Sequence, residues 1–391
     1  MAKTSATTNV TPTGAASAPT HPSSSGLEGV VVADTALSDV DGEHGRLVIA
    51  GHDVEDWAPT ATFEDAWTTL SRIGGGPARA PEVAARALGR ARVLAFAALA
   101  DSGRALRAKN GMDALRAVLA QPVPDACEDE DAWVVGAAAV AAAGWSRVRA
   151  GLEPLAPDPD APHARDYLRM VVGATPTEAH ARALETYLVT VSDHGMNAST
   201  FTARVVASTG SDLVSSIVAA VGALKGPLHG GAPGPVLDML DAIGTPENAV
   251  SWIERELASG RRIMGMGHRI YRVRDPRAAV LEKATLALAE ASAGAAPPRL
   301  ALARAVEAVA ASALAKKYPD RSLAANVEFY TAVLLDAVGL PRELFSPTFA
   351  VGRVCGWAAH VHEQRKTGRL IRPASRYVRA SAGDVRSPAI E

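Results

Sequence analysis

The chain has 391 residues, 48% of them hydrophobic but only 5% aromatic, and a formal net charge of −2. That length supports a sizeable core in two domains or one large one. The near-neutral balance offers no basic stripe for nucleic acid, and two cysteines, Cys127 and Cys355, cannot build a disulfide framework.

The first 26 residues are rich in Ala, Thr, Ser and Pro, with one early lysine and no apolar stretch. They do not resemble a secretory signal and bury too little apolar surface to offset ordering, so residues 1–26 are expected to be a disordered tail. Two apolar runs, Val30-Val31-Val32 and Arg46-Leu47-Val48-Ile49, flank Asp39-Val40-Asp41-Gly42 and predict a small N-terminal β-hairpin. After Thr62 the apolar positions recur at helical spacing, punctuated by Gly and Pro, which makes the fold class all-α and larger than a four-helix bundle. The most apolar run, Val134 to Trp145, falls short of the ~20 residues a bilayer requires. It predicts a buried helix packed through small side chains, and no membrane association.

Ser211 precedes an apolar face of Leu213, Ile217, Ala220, Val221 and Leu224, which Gly226-Pro227 stops. Thr245-Pro246-Glu247 reads as an N-cap, a first-turn proline and an acid. Val250, Ile253 and Leu257 follow on one face, and Gly260 closes that helix. Asp275-Pro276 and Ser346-Pro347 open two more. No internal repeat of roughly 20–50 residues is present, which argues against a solenoid.

Several residues at these helix ends carry chemistry. His229 lies in a loop whose glycines permit close backbone approach to a ligand; its ordinary role there would be surface or capping. His268 sits in Gly265-Met266-Gly267-His268, which lacks the third glycine and the strand-to-helix setting of a dinucleotide fingerprint. Arg277 falls in a first helical turn, where the macrodipole disfavours a cation. Either it snorkels to solvent, or an anion sits among the free backbone N–H groups beside it. Glu328 follows Asn326, an expected N-cap, between Val327 and Phe329-Tyr330. Burial would raise its pKa and the helix terminus would lower it; spacing does not decide between them. Arg353 shares a stripe with Ala350 and Trp357, so a buried guanidinium needing a carboxylate or phosphate competes with snorkelling. His360 and His362, two apart, point to different helix faces, which disfavours a shared metal. Arg369, Arg372, Arg376 and Arg379 form a basic C-terminal stretch, either a solvated tail or a source of an arginine for a neighbouring site.

Taken together, these segments resemble the citrate synthase family. The resemblance rests on Asp193-His194-Gly195-Met196-Asn197-Ala198-Ser199, Leu228-His229-Gly230-Gly231-Ala232, Gly265-Met266-Gly267-His268-Arg269 through Asp275-Pro276-Arg277, and Asn326-Val327-Glu328-Phe329-Tyr330. Phe349-Ala350-Val351-Gly352-Arg353, Gly356-Trp357-Ala358-Ala359-His360 and Ile371-Arg372-Pro373 complete it, in the family's order, from about Gly26 nearly to the C-terminus. It implies a mostly helical cytoplasmic homodimer with a large domain (27–230 and 338–391) and a smaller lid domain (231–337). It implies condensation of acetyl-CoA with oxaloacetate followed by hydrolysis of the citryl thioester, with no metal and no cofactor beyond the acyl-CoA substrate. Glu328 would then be the general base, His229 the hydrogen-bond donor to the thioester oxygen, and His268 the group polarising the oxaloacetate carbonyl. Arg277, Arg353 and Arg372 from the second copy would hold the oxaloacetate carboxylates, with His194 assisting. The backbone of Gly265, Met266 and Gly267 would lie along CoA, with Arg272 at a CoA phosphate.

Two departures from the family pattern stand out. The base position is usually aspartate. Glutamate moves the carboxylate by up to ~1.5 Å, and a misplacement of ~1 Å can cost ~100-fold in rate. After Ala232 the chain continues Pro233-Gly234-Pro235, where the family more often has Asn-Glu. Two other activities therefore stand beside the first: 2-methylcitrate synthesis from propionyl-CoA, and a weakly active metabolite-binding or regulatory dimer.

Overall fold

The computed structural model describes residues 26–27, 29–229, 233–291, 298–375 and 377. Except for Gly26, the tail expected over 1–26 lies outside them, as do Gly230, Gly231, Ala232, Arg376 and Arg379. Residues up to Asp34 belong to a separate N-terminal unit, in which Val30–Val32 form no strand.

From Thr35 onward an antiparallel sheet comes first: β1 (Ser38–Asp41), β2 (Arg46–Ile49) and β3 (His52–Asp53). Ser38 lies opposite Ile49, Asp41 opposite Arg46 and Val48 opposite Asp53. The hairpin thus exists, but its first strand is Ser38–Asp41 and not Val30–Val32. Asp41 Oδ1 accepts the backbone N–H groups of Glu43 and His44 at 3.1 and 3.0 Å, which places the turn directly after Asp41. The segment that had looked like the turn is the strand.

Fifteen α-helices follow among the described residues. The first seven are α1 (Val54–Trp57), α2 (Phe63–Gly74), α3 (Pro81–Ala98), α4 (Gly111–Leu119), α5 (Glu130–Arg149), α6 (His163–Val172) and α7 (Glu178–Thr190). Then come α8 (Ala198–Ala207), α9 (Leu213–Leu224), α10 (Pro233–Ile243) and α11 (Ala249–Ala258). The last four are α12 (Pro276–Ala291), α13 (Pro298–Lys317), α14 (Val327–Ala337) and α15 (Phe345–Thr367). The all-α class expected from the spacing is the observed one, with the small sheet at its N-terminal side.

Local chemistry sets most helix starts. Thr62 and Asp65 form a reciprocal capping box on α2, while Asn110, Thr177 and Asn197 cap α4, α7 and α8 with their side chains. Some boundaries move by a few residues from expectation. Asp212, not Ser211, caps α9, accepting from Ser215 N at 2.7 Å. Thr245-Pro246 opens a short 3-10 turn, and the α-helix proper starts at Ala249; Val250 then faces solvent while Ile253 and Leu257 are buried. α15 begins at Phe345, with Pro347 inside its first turn.

Two helices form the centre. α5 buries every residue from Asp131 to Ser146, and most of α15 from Phe345 to Val361 is buried as well. A helix apolar on all sides has to be enclosed on all sides. α5 packs on α3, α4, α6 and α15, and α15 also packs on α2, α7, α8 and α9. Small residues permit this closeness: a Cβ on Gly136 would lie 2.8 Å from Ala91 Cβ, and one on Gly356 would lie 2.1 Å from the Ser192 carbonyl oxygen. Among the described residues no helix is long and apolar enough to cross a membrane.

The sheet also braces two loops. The Ser38 hydroxyl donates to Asp193 Oδ2 at 2.6 Å, and the Gly42 carbonyl accepts from Arg272 N at 2.7 Å. Gly356 provides the test of the close packing on α15. Alanine in an open helix interior is favoured over glycine by ~1 kcal/mol. Here Gly356→Ala drives a methyl into a backbone carbonyl and should destabilise by about 1–3 kcal/mol. A lower urea midpoint at unchanged m-value is the expected result; a higher midpoint would mean that α15 does not pack this tightly.

Candidate active site

Gly265-Met266-Gly267-His268 runs antiparallel to the segment entering α14. Met266 bridges Ala325, Gly267 N donates to Ala324 O at 2.7 Å, and Asn326 N donates to Gly265 O at 2.9 Å. Gly265 has φ 73°, and a Cβ there would meet Phe329 at 2.8 Å, so the backbone approach requires glycine. This clamp brings His268 beside the start of α14, across nearly sixty residues of chain.

The His268 ring is oriented by the loop that follows it. Its Nδ1 accepts the backbone N–H groups of Ile270 and Tyr271 at 3.0 and 3.2 Å. Nδ1 is therefore bare, and the neutral ring carries its proton on Nε2. Burial, reinforced by the Arg277 cation, lowers the His268 pKa to about 4.

Arg277 is buried, which rules out snorkelling. The anion at its helix start is the chain's own Asp275. Asp275 Oδ1 accepts from Arg277 N and Nε, both at 3.0 Å, and Oδ2 accepts from Nη2 at 2.7 Å. Burial alone would lower the guanidinium's pKa, but the Asp275 carboxylate outweighs it and holds the pKa up. The same Oδ2 accepts from Val327 N at 3.2 Å. Asp275 thus does at α14 the work expected of Asn326. Asn326 has extended cap backbone, but its side-chain amide donates to Gly267 O at 2.9 Å instead. Glu328 lies in this first turn of α14. Its Oε2 is shielded from solvent and has no hydrogen-bond partner among the described residues. Burial raises its pKa and outweighs the lowering by Arg277 and by the local backbone N–H, which decides the question spacing had left open.

The other wall comes from α8 and α15 and from the turns that follow α7 and α9. His229 Nε2 accepts from Ser199 N at 3.2 Å and lies 2.8 Å from Ser199 Oγ. Ser199 Oγ is in turn held by Trp357 Nε1 at 3.2 Å and Asn197 Oδ1 at 2.8 Å. His229 is therefore the mirror case of His268: Nε2 is bare and Nδ1 carries the proton. Burial, then Arg353, lowers its pKa to about 4.

Arg353 is 1% exposed. Its Nε donates to Val191 O, its guanidinium lies 4.8 Å over the Phe349 ring, and its buried Nη2 has no partner among the described residues. No carboxylate of the described residues forms an ion pair with it. Burial depresses its pKa to about 10, with Asp193 opposing and Arg277 assisting. An enclosed guanidinium without a counter-ion is costly unless an anion joins it. His194 is buried alongside, its Nε2 3.1 Å from the Tyr271 hydroxyl and its ring edge-on to His268 at 5.8 Å. Arg372, by contrast, is exposed in the segment after α15 and takes no part in this cluster within one chain.

A cleft of about 1060 Å³ adjoins the site, with His268 and Asn326 among its lining residues. Gly265, Met266, Gly267 and Arg272 line it too, together with Arg261, Arg262, Arg269 and Arg321 against a single Asp320. Arg261 is tied to Glu256; the others give the wall a strongly positive field suited to a phosphorylated ligand. Among the described residues no group of His, Cys, Asp and Glu is placed to hold a metal. His360 pairs with Asp193 and His362 with Asp131, on different faces as their spacing implied.

Sequence reading missed Tyr271, Ser199 and the double capping by Asp275. An aspartate directly before Pro-Arg was the available signal for the last; the first two gave none. Chemically, the site combines two neutral histidines with fixed N–H donors, a carboxylate with a raised pKa and a buried arginine that has no carboxylate partner among the described residues. That set suits proton removal from carbon beside carbonyl oxygens that gain negative charge.

Known proteins resemble this chain over most of its length. A family model described as "Citrate synthase, C-terminal domain" matches residues 26–374. A citrate synthase of Haloferax volcanii is 35% identical over 370 residues, covering 90% of this chain and 94% of that one. A 2-methylcitrate synthase of Mycobacterium tuberculosis is 34% identical over 367 residues, covering 90% and 89%. The citrate synthase of Thermoplasma acidophilum, solved as a ternary complex with carboxymethyl coenzyme A and oxaloacetate, superposes with a TM-score of 0.78. It is 27% identical and covers 91% of this chain and 96% of that one.

The lowered histidine pKa values carry a stability consequence. Between the unfolded value of 6.5 and the folded values of about 4, the unfolded chain binds protons that the native state refuses. Stability must therefore fall as pH drops through that window. The urea midpoint should decline from pH 6.5 to 4.5, and less steeply in His229→Gln; equal slopes would contradict the burial of His229.

Proposed function

The chain belongs to the citrate synthase family, and from that premise we propose that it condenses acetyl-CoA with oxaloacetate and hydrolyses the citryl thioester to citrate and CoA. The observation that carries this reading is the enclosed Arg353 guanidinium beside His194 and Arg277, which has no carboxylate partner among the described residues and calls for a small anionic substrate. In this mechanism the oxaloacetate carboxylates bind Arg353, Arg277 and Arg372 of a second copy, assisted by His194. Bidentate guanidinium–carboxylate pairing suits arginine better than lysine.

Glu328 takes the α-proton of the thioester. Its raised pKa narrows the gap to the carbon acid, and the His229 Nδ1–H stabilises the enolate oxygen as it forms. The enolate carbon attacks the oxaloacetate carbonyl, whose oxygen is polarised by the His268 Nε2–H and gains a proton as the C–C bond closes. Water then cleaves the thioester and releases CoA. CoA occupies the arginine-lined cleft along Gly265, Met266 and Gly267, with Arg272 at a phosphate. Residues 231–337 form the lid that closes over both substrates. They supply His268, Arg277 and Glu328, whereas His194, His229 and Arg353 come from the large domain.

A homodimer and a cytoplasmic location are part of this reading. Val214, Val218 and Gly222 recur every four residues on α9, and a Cβ on Gly222 would have no described atom within 4 Å, which leaves room for a second copy there. The similarity to a 2-methylcitrate synthase supports propionyl-CoA as the second candidate donor. One methylene in an apolar pocket is worth only about 1–3 kcal/mol.

CoA release, followed with a thiol reagent, tests the reading. A higher kcat/KM with acetyl-CoA than with propionyl-CoA is expected; the reverse makes the enzyme a 2-methylcitrate synthase. Release with neither donor, despite oxaloacetate binding, makes it a metabolite-binding member of the family. Glu328→Gln should lower kcat by roughly 10²–10⁴-fold while leaving oxaloacetate affinity largely unchanged. Near-normal turnover in that variant would remove Glu328 from the mechanism.

A further inference from the structure

We infer that Tyr271 is a positioning residue for His194, its hydroxyl donating to Nε2 so that the ring presents Nδ1–H to a substrate carboxylate. The inference rests on the oxaloacetate site proposed above. Tyr271 is 1% exposed and meets several of the groups assigned to that site. Its hydroxyl lies 3.1 Å from His194 Nε2, and its ring is 5.7 Å from the His194 ring and 4.8 Å from the His268 ring. The Arg277 guanidinium lies 6.0 Å over the same ring. Its backbone N–H is one of the two donors that leave His268 Nδ1 bare.

The direction of the hydroxyl–imidazole bond follows from donor bookkeeping. His194 Nε2 is the only partner of the Tyr271 hydroxyl among the described residues. If the imidazole gave the proton, the tyrosine O–H would be buried without an acceptor, which is the costly arrangement. If the tyrosine gives it, the donor left over is instead the His194 Nδ1–H, which a substrate carboxylate beside Arg277 and Arg353 can accept. The single proton of neutral His194 then sits on Nδ1, which has no partner among the described residues. Burial, with Arg277 and Arg353 adding to it, keeps His194 neutral far below the usual histidine range. A carboxylate held by those arginines is the acceptor that Nδ1–H lacks.

Tyr271→Phe keeps the ring against both histidines and removes only the hydroxyl. Two readouts are needed: ¹⁵N shifts of the His194 ring nitrogens, and oxaloacetate affinity by calorimetry. The wild type should show Nδ1–H and bare Nε2. The variant should show a mixed or reversed tautomer and roughly 10-fold weaker oxaloacetate binding. Three results overturn the inference: Nε2–H in the wild type, unchanged affinity in the variant, or weaker binding without a tautomer change. Should Tyr271→Phe not fold, the wild-type ¹⁵N spectrum alone still decides the direction of the bond. Absence of oxaloacetate binding in the wild type would remove the proposed site, while the tautomer remains separately readable.

Discussion

One buried carboxylate organises the site. Asp275 receives the backbone N–H that begins α12, the backbone N–H that begins α14 and two N–H groups of the Arg277 guanidinium, all between 2.7 and 3.2 Å. A carboxylate this enclosed is tolerated only when its lone pairs are filled, and here two helix N-termini and an arginine fill them. Because both helices start on the same side chain, Arg277 and Glu328 are held in one frame. The Asp275 N–H donates to Ala325 O at 3.1 Å and closes the frame against the segment that clamps Gly265–Gly267. His268 inherits its place from that clamp.

Electrostatics then set the chemical state of each group. Burial, reinforced by two enclosed arginines, disfavours further positive charge, so His194, His229 and His268 are all held neutral. Neutral imidazole has one proton to place, and backbone amides decide where. The amides of Ile270 and Tyr271 claim Nδ1 of His268, while the amide of Ser199 claims Nε2 of His229. A rigid backbone donor serves this purpose better than a side chain, since it has no rotamer to lose. Glu328 moves the opposite way from a paired carboxylate because Arg277 compensates its burial only in part.

The second wall depends on a polar network inside α15. Arg204 Nη1 lies 2.9 Å from His360 Nδ1 and donates to Glu363 at 2.6 Å, and its Nε donates to Gln364 at 3.0 Å. With Nδ1 accepting from arginine, His360 offers Nε2–H to Asp193 at 3.1 Å. Asp193 also accepts from Ser38, and its carboxyl stays below the usual range because these partners and Arg353 overcome the effect of burial. The residue that follows it is His194. The small sheet, α8 and α15 are thus joined through buried hydrogen bonds to the turn that carries a candidate substrate contact. Gly356, pressed against Ser192, brings α15 close enough for that network to form.

Much of this was legible in the chain alone. Cap residues, prolines and apolar spacing marked the helices to within a few residues, because those signals act over one or two turns. Val134–Trp145 announced an enclosed helix by having no polar face, and the ordered segments around His194, His229, His268, Arg277, Glu328 and Arg353 announced the family. The hairpin's first strand was misread because an Asx turn at Asp41 overrode the apolarity of Val30–Val32. Asn326 holds the cap position of α14 as expected, but the side-chain cap bond comes from Asp275, 51 positions earlier in the sequence, which spacing does not reveal. Local sequence determined which groups were available and where the helices begin. Tertiary structure alone decided which nitrogen of each histidine is bare, which anion Arg277 meets and which way the Glu328 pKa moves. Those outcomes depend on burial and on partners brought together from distant parts of the chain, and spacing along the chain encodes neither.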